Sequence, residues 1–158
     1  MKLKMLLLSA MLAPTVQAEP FFSEYLEGGS NNKALEIYNP ADTPLNLTGY
    51  SVKVYSNGAT TVGKTVTLTG TIPAKGTFVL YDTGSIQPIK DKGQMAIGTG
   101  NFNGDDAIAL YKDSQLLDVI GKIGARPVGG GWGSGLTSTL NKTLVRKTST
   151  NQGDTDGS

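Results

Sequence analysis

The 158-residue sequence predicts an all-β domain built as an antiparallel sandwich or barrel. Short apolar runs recur at regular spacing between segments rich in Gly, Asn, Asp and Pro, a pattern typical of strands joined by turns. Apolar and polar side chains alternate within residues 50–55, as expected for a strand with one buried face. No window carries the sustained i, i+3, i+4, i+7 spacing of an amphipathic helix. These observations together favour the all-β class.

The strands follow one another from the start of the domain to its end. Residues 107–111 are apolar throughout, which predicts a strand that is buried on both faces or lies centrally. Residues 86–95 lack this pattern, so we expect a short turn of helix or an irregular segment there. The predicted strands cover residues 21–26, 34–38, 50–55, 65–68, 77–81, 107–111, 116–120 and 143–147.

The two ends of the chain differ from this pattern. Residues 1–18 combine Lys2 and Lys4 with an apolar run and small residues before a cleavage site, which predicts a signal peptide. The run is shorter than the ~20 residues that span a membrane, so we expect export without a membrane span. Secretion is the favoured destination, with periplasm and cell surface as alternatives. We expect the domain to cover residues 19–148, and residues 149–158, which contain no apolar side chain, to form a polar tail or linker.

The composition excludes several classes of active site. The chain has no histidine and no cysteine, so a Ser-His-Asp triad, a papain-like pair, a His-based nuclease centre and disulfides are ruled out within it. Without Lys2 and Lys4, 12 of the 14 basic residues remain against 13 acidic ones, a net charge of −1. The exported chain therefore has no general electrostatic attraction to nucleic acid or anionic membranes.

Two acidic segments are weak candidates for a metal site. Asp105 and Asp106 lie in residues 103–106, where paired carboxylates suit a hard cation such as calcium. The favoured alternative is a tight turn in which Asn and Gly adopt positive φ and the carboxylates accept hydrogen bonds from local amides. Asp154 and Asp156 resemble the start of a calcium loop but lack its later ligands.

A further pair of carboxylates lies in the first two predicted strands. If these strands pair, Glu24 and Glu36 approach one another, and a coupled pair of this kind can act as an acid/base device. The favoured interpretation places both on a polar face, with Glu36 beside Lys33 and Glu24 beside solvent.

Basic and aromatic residues cluster towards the end of the domain. An aromatic ring beside cations can stack on a base while the cations contact phosphates, whereas solvated charges on an edge strand also prevent sheet-to-sheet pairing. The second explanation is the commoner one. The candidate ligand-binding residues are Arg126, Trp132, Lys142, Arg146 and Lys147.

Six separated motifs follow one another along the chain: FFSEYLEGGSNNKALEIYNP, LTGY, NGDDAIAL, DVIG, WGSG and TLVRK. In this order they resemble the bacterial lamin-tail domain. This resemblance implies an immunoglobulin-like β-sandwich. It is closer still to the N-terminal module of large secreted nucleases, whose catalytic domain of the endonuclease/exonuclease/phosphatase type lies further along. The resemblance carries over no catalytic residue and implies no cofactor in this chain, with divalent metal expected only in a downstream catalytic domain.

Three functional hypotheses follow. The leading one is an exported, non-catalytic module that binds or positions DNA, a cell-surface component or the downstream domains of a secreted nuclease. The second is a free-standing adhesion or scaffold module of the cell envelope. The third is hydrolysis by this chain itself with carboxylates and a divalent metal, which we disfavour because carboxylates alone would have to supply both metal ligands and proton transfer.

Overall fold

The computed structural model describes residues 18–157. The predicted signal peptide, residues 1–18, therefore lies outside the described residues except at its last position. The elements in chain order are β1 (Phe21–Glu27), β2 (Lys33–Tyr38), β3 (Leu45–Asn46), β4 (Tyr50–Tyr55), β5 (Lys64–Thr67), β6 (Thr71–Ile72), β7 (Thr77–Tyr81), α1 (Gln87–Lys90), β8 (Met95–Ala96), β9 (Ala107–Lys112), β10 (Gln115–Ile120) and β11 (Thr143–Val145).

The strands form two packed sheets. One has five strands in the order β11-β1-β2-β7-β8, the other has four in the order β10-β9-β4-β5, and β3 pairs with β6 beside them. Every pairing is antiparallel except that of β7 with β8. This arrangement confirms the predicted antiparallel sandwich. Each predicted strand is present with its ends shifted by at most two residues, whereas β3, β6 and β8 were missed because two residues are too few to alternate.

The main core lies between the two sheets. Alternation places one face of each long strand inward, and the prediction for residues 50–55 is confirmed because Tyr50, Val52 and Val54 are buried while Ser51 and Lys53 are half-buried. Strand β9 is buried on both faces, as predicted. Its Ile108 and Leu110 belong to the main core, and its Ala107 and Ala109 belong to a second cluster with Tyr55 and Val119.

The opening hairpin is closed by a buried ion pair. Lys33 Nζ lies 2.5 Å from Glu27 Oε1, and both side chains are almost fully buried. Lys33 Nζ also donates to the Gly28 carbonyl at 2.8 Å, and Glu27 Oε2 accepts a hydrogen bond from the Asn141 amide. Because a buried charge is tolerated only with partners, this network fixes the β1–β2 turn against the loop that precedes β11.

A buried carboxylate joins the two sheets at one edge. Asp118 of β10 is 0% exposed, and its Oδ2 accepts from the Phe22 amide of β1 at 2.7 Å. Its Oδ1 accepts from Arg146 Nη2 and from the Asp154 amide, both at 2.8 Å. A β-bulge lies beside it, between Leu116 and Asp118. One side chain therefore connects β1, β10, the residue after β11 and the C-terminal segment.

The C-terminal segment, predicted as a polar tail, runs along the edge of β10. The Val119 amide donates to the Asp154 carbonyl at 2.7 Å, which supplies a hydrogen-bond partner to this edge strand. Asp154 Oδ1 accepts from the amides of Asp156 and Gly157, forming a local turn. These hydrogen bonds attach the segment to the sandwich at Asp154.

Residues 86–95 contain the single helical turn α1, as expected. It begins after Ile86, and Pro88 in its first turn has the preset φ that suits a helix start. Among residues 18–157, no helix is long and apolar enough to cross a membrane.

Candidate functional site

The outer face of the five-stranded sheet carries a groove of about 520 Å³, here called the acidic groove. Its volume falls within the ~300–1,000 Å³ typical of ligand sites. Strands β1, β2 and β7 form the floor, because their outward residues alternate with the core residues beneath. The residues that define the groove are Glu24, Leu26, Glu36, Val79, Ile89 and Lys92.

The segment around α1 forms one wall of the acidic groove. At its start, the Ile86 amide donates to Asn32 Oδ1 at 2.9 Å and Ser85 Oγ donates to the Asn31 carbonyl at 2.8 Å. At its end, Gln94 Oε1 accepts from the Val79 amide at 2.6 Å. The wall is therefore attached to the sheet at both ends, and the groove is formed before any ligand binds.

Two carboxylates lie opposite each other in this groove. Glu24 and Glu36 are direct cross-strand partners of β1 and β2. Ser23 is the extra residue of a β-bulge in β1, and its Oγ donates to Glu36 Oε1 at 2.7 Å. Burial, and secondly the neighbouring Glu36 carboxylate, raise the pKa of Glu24. Among residues 18–157, neither glutamate forms an ion pair.

The sequence correctly placed these two carboxylates close together but assigned one of them the wrong partner. The prediction that Glu36 lies beside Lys33 is wrong, because residues three apart on a strand point to opposite faces and Lys33 pairs with Glu27. Glu24 is half-buried in a groove and does not simply face solvent. Chemically, the pair can share a proton or bind a cation, and the acid/base interpretation stays a prediction.

Arg126 is engaged by one of the candidate metal ligands. Its Nε and Nη2 both lie 2.6 Å from Asp105 Oδ2, and the Asp105 side chain is only 7% exposed. The neighbouring Asp106 accepts from two backbone amides, those of Asn57 and Asn103, each at 2.9 Å. Both carboxylates therefore hold loops around residues 103–106.

The proposed turn at residues 103–106 is partly correct. Asp106 accepts a local amide hydrogen bond, as predicted, but neither Asn103 nor Gly104 has positive φ. Gly104 is required for space, since a Cβ there would lie 2.8 Å from the Gly130 carbonyl oxygen and from Leu140 Cα. Residues 18–157 contain no group of three or more His, Cys, Asp or Glu side chains placed to hold a metal.

Trp132 and Arg146 are brought together, in a second groove of about 390 Å³ between the edges of the two sheets. Trp132 Nε1 donates to the Asp106 carbonyl at 3.0 Å, and its ring packs on Gly121 so closely that a Cβ there would overlap it. Arg146 pairs with buried Asp118 and lies over the Phe21 ring at 5.7 Å. We call this cavity the Trp132 groove, defined by Trp132, Arg146, Gly121, Leu144 and Val119.

The remaining basic candidates lie outside that groove. Lys142 and Lys147 are exposed at the two ends of β11. Their backbone carbonyls accept hydrogen bonds from the amides of Glu27 and Thr150. The structure thus separates the five candidates into three residues with structural partners and two exposed lysines, and their role in ligand binding stays a prediction.

Sequence reasoning found the carboxylates of the acidic groove but missed its walls. Ile89 and Lys92 carry no pattern that points to a site, because their position depends on how the α1 segment folds back on the sheet. The available signal was the break in strand periodicity at residues 86–95. Such a break indicates a segment that is not part of the sheet and therefore packs against it.

Comparison with known proteins identifies the family. The family model of the lamin tail domain matches residues 13–124, which is more than half of the chain. This match includes the acidic groove, Asp105 and Asp106, whereas all five candidate ligand-binding residues follow it. A search of curated proteins finds no match. The fold and this match together show that the chain belongs to the lamin tail domain family, whose fold is an immunoglobulin-like β-sandwich.

Proposed function

We propose that the chain is an exported, non-catalytic binding module that holds a polypeptide partner for a secreted nuclease. The observation that carries the proposal is the acidic groove, a preformed cavity on a sheet face with carboxylates among apolar walls. Export rests on the signal pattern of residues 1–18, and the nuclease context rests on the motif resemblance. The favoured partner is the downstream part of the same polypeptide, since a tethered partner is present at high effective concentration.

The chemistry of the chain supports binding over catalysis. Without histidine or cysteine, the chain lacks the usual general base near neutral pH and a thiolate nucleophile. Its buried acidic residues have partners that fix the fold, as with Glu27 and Lys33 or Asp118 and Arg146. Direct hydrolysis by the Glu24–Glu36 pair would need a divalent metal as well. Binding through this pair requires no further group.

The test starts with the reading frame beyond codon 158. The polypeptide encoded there is purified and titrated into the chain from residue 19 onward by isothermal titration calorimetry, with and without Val79→Arg, which fills the groove. We expect a nuclease domain, and saturable binding that V79R abolishes. Binding that V79R leaves intact would overturn the groove as the contact surface. A stop codon or adhesion repeats would favour a free-standing envelope scaffold instead.

DNA is a second candidate partner, favoured by the exposed Lys142 and Lys147 beside the Trp132 groove. Because Arg126 and Arg146 are already paired with carboxylates, these two lysines would supply the phosphate contacts. Fluorescence anisotropy with a 20-base-pair duplex at low salt should then show binding that the double change Lys142→Glu and Lys147→Glu removes. The control is Lys75→Glu in the β6–β7 turn, and equal loss with it would contradict a specific contact.

A further inference from the structure

We infer that the acidic groove recognises an arginine side chain flanked by apolar residues, presented by a polypeptide. This inference rests on the proposed binding function and specifies the chemistry of the partner. The other partly or fully buried carboxylates are matched with cations or amides. The two carboxylates in the groove face each other instead.

Three buried acidic side chains elsewhere in the domain form ion pairs with basic side chains. Asp105 is matched with Arg126, Asp118 with Arg146, and Glu27 with Lys33. Glu24 and Glu36 are instead direct cross-strand partners, an arrangement in which like charges repel. Ser23 Oγ satisfies one oxygen of Glu36, at 2.7 Å, but it contributes no positive charge.

The charge of the groove is therefore complementary to a cation. Apart from Glu24 and Glu36, the charged side chain that lines it is Lys92, on the wall formed by the α1 segment. The lining thus carries a net charge of −1, and the negative part is concentrated on the floor. An anionic ligand would meet both carboxylates, which excludes phosphate or carboxylate groups as the main contact.

The walls distinguish arginine from a bare metal ion. Leu26, Val79 and Ile89 give the groove apolar surface next to the carboxylates. A calcium ion seeks six to eight oxygen ligands and gains nothing from such surface. A guanidinium group is planar and weakly hydrated, carries five donors that can bridge two carboxylates, and has an apolar stem that packs on aliphatic side chains.

The size of the groove indicates that more than one side chain enters. A volume of about 520 Å³ has room for the arginine and for an apolar neighbour in the same peptide. Because the wall is attached to the sheet at both ends, the peptide does not have to order the site when it binds. A short peptide should therefore bind measurably without the rest of the partner.

The experiment uses three capped peptides, Leu-Arg-Leu, Leu-Gln-Leu and Leu-Glu-Leu, titrated into the ¹⁵N-labelled chain from residue 19 onward. Binding is followed by ¹H–¹⁵N chemical shifts. We expect Leu-Arg-Leu to shift the amides of β1, β2 and β7, and Leu-Gln-Leu to bind about tenfold or more weakly, as the loss of charge-assisted hydrogen bonds implies. Leu-Glu-Leu should not bind. The double change Glu24→Gln and Glu36→Gln should abolish the preference for arginine, whereas Asp42→Asn, at a side chain 91% exposed elsewhere, should retain it.

The outcomes separate this inference from the proposed function. Equal binding of the arginine and glutamine peptides, shifts outside the groove, or no binding of any peptide would overturn the arginine assignment. If the downstream polypeptide still binds and only V79R abolishes that binding, the proposed function stands without the arginine. Peptide selectivity without any binding of the downstream polypeptide would support the groove chemistry and contradict the proposed partner.

Discussion

At the scale of single residues, this domain uses acidic side chains in two opposite ways. Asp118 is fully buried and joins three chain segments through hydrogen bonds, so its charge is compensated. Glu24 is half-buried and faces another carboxylate, so its charge is opposed. The charge of Asp118 should therefore stabilise the folded state, and the charge of Glu24 should destabilise it. Each expectation can be measured.

Replacing Asp118 by Ala should destabilise the domain by about 3–5 kcal/mol, because it leaves the Arg146 guanidinium, the buried Phe22 amide and the partly buried Asp154 amide without their acceptor. Urea unfolding followed by circular dichroism measures the change. Asp42→Ala is the matched control, since the Asp42 side chain is 91% exposed and its ion pair with Lys75 should contribute little. A loss below about 1 kcal/mol for D118A would contradict the role of Asp118.

Replacing Glu24 by Gln should stabilise the domain at pH 7 by about 0.2–1 kcal/mol, the range for removing a cross-strand repulsion. The pKa of Glu24 is raised on folding from its ordinary 4.5. Below that ordinary pKa the Glu24 side chain is protonated in both the folded and the unfolded state, so it does not lower the stability of the fold. As the pH rises through the raised pKa, the unfolded chain loses its proton more easily, so the parent protein loses stability.

The gain from E24Q should therefore shrink as the pH falls below the ordinary pKa of glutamate. Thermal unfolding of the parent and of E24Q at pH 7 and at about pH 4 measures it. Exposed Glu19 offers the control change Glu19→Gln. A gain that is the same at both pH values would mean that the Glu24 charge is not its source.

At the scale of elements, the sequence predicts strand positions and side-chain directions, because these depend on residues that are close together along the chain. The alternation at residues 50–55 and the wholly apolar run at 107–111 place their strands correctly, because side-chain direction in a strand follows position. The pairs Arg126–Asp105 and Arg146–Asp118 join residues 21 and 28 positions apart, and no local pattern reports such contacts. The groove was missed for the same reason, since α1 must first fold onto the sheet.

The C-terminal segment protects the edge of β10, which gives a prediction at this scale. Ending the chain at residue 148 removes Asp154, whose carbonyl accepts the Val119 amide and whose amide donates to Asp118. An exposed edge strand pairs with other chains, so the shortened domain should form dimers or larger species. Size-exclusion chromatography with light scattering measures this. The change Gln152→Ala in the unshortened chain is the control, and a monomeric shortened chain would contradict edge protection.

At the scale of the whole molecule, one core serves both sheets. Phe22, Leu35 and Ile37 of one sheet pack with Val52, Ile108 and Leu110 of the other, so neither sheet can keep its apolar face buried alone. The loop that carries Trp132 is attached to this unit by two hydrogen bonds, from Trp132 Nε1 to the Asp106 carbonyl and from Thr139 Oγ1 to the Gly104 carbonyl. The domain should therefore unfold as a single cooperative unit.

The single tryptophan of the chain makes this testable. In urea, the transition followed by Trp132 fluorescence should coincide with that followed by far-ultraviolet circular dichroism, as two-state unfolding requires. A fluorescence transition that precedes the loss of β-structure would mean that the Trp132 loop opens independently. Thr139→Val, which removes the hydroxyl that accepts from the Trp132 amide, should separate the two transitions if that contact couples them.

The contacts of Asp118 also have a mechanical consequence. A load applied at the C-terminal end reaches Asp154, whose carbonyl is bonded to the Val119 amide of β10 and whose amide is connected through Asp118 to the Phe22 amide of β1. Both sheets then resist the force together, so no strand is peeled away alone. If a heavier domain is tethered to this end, its thermal motion or the drag of flowing medium would be borne by the buried Asp118 carboxylate together with the Val119 amide.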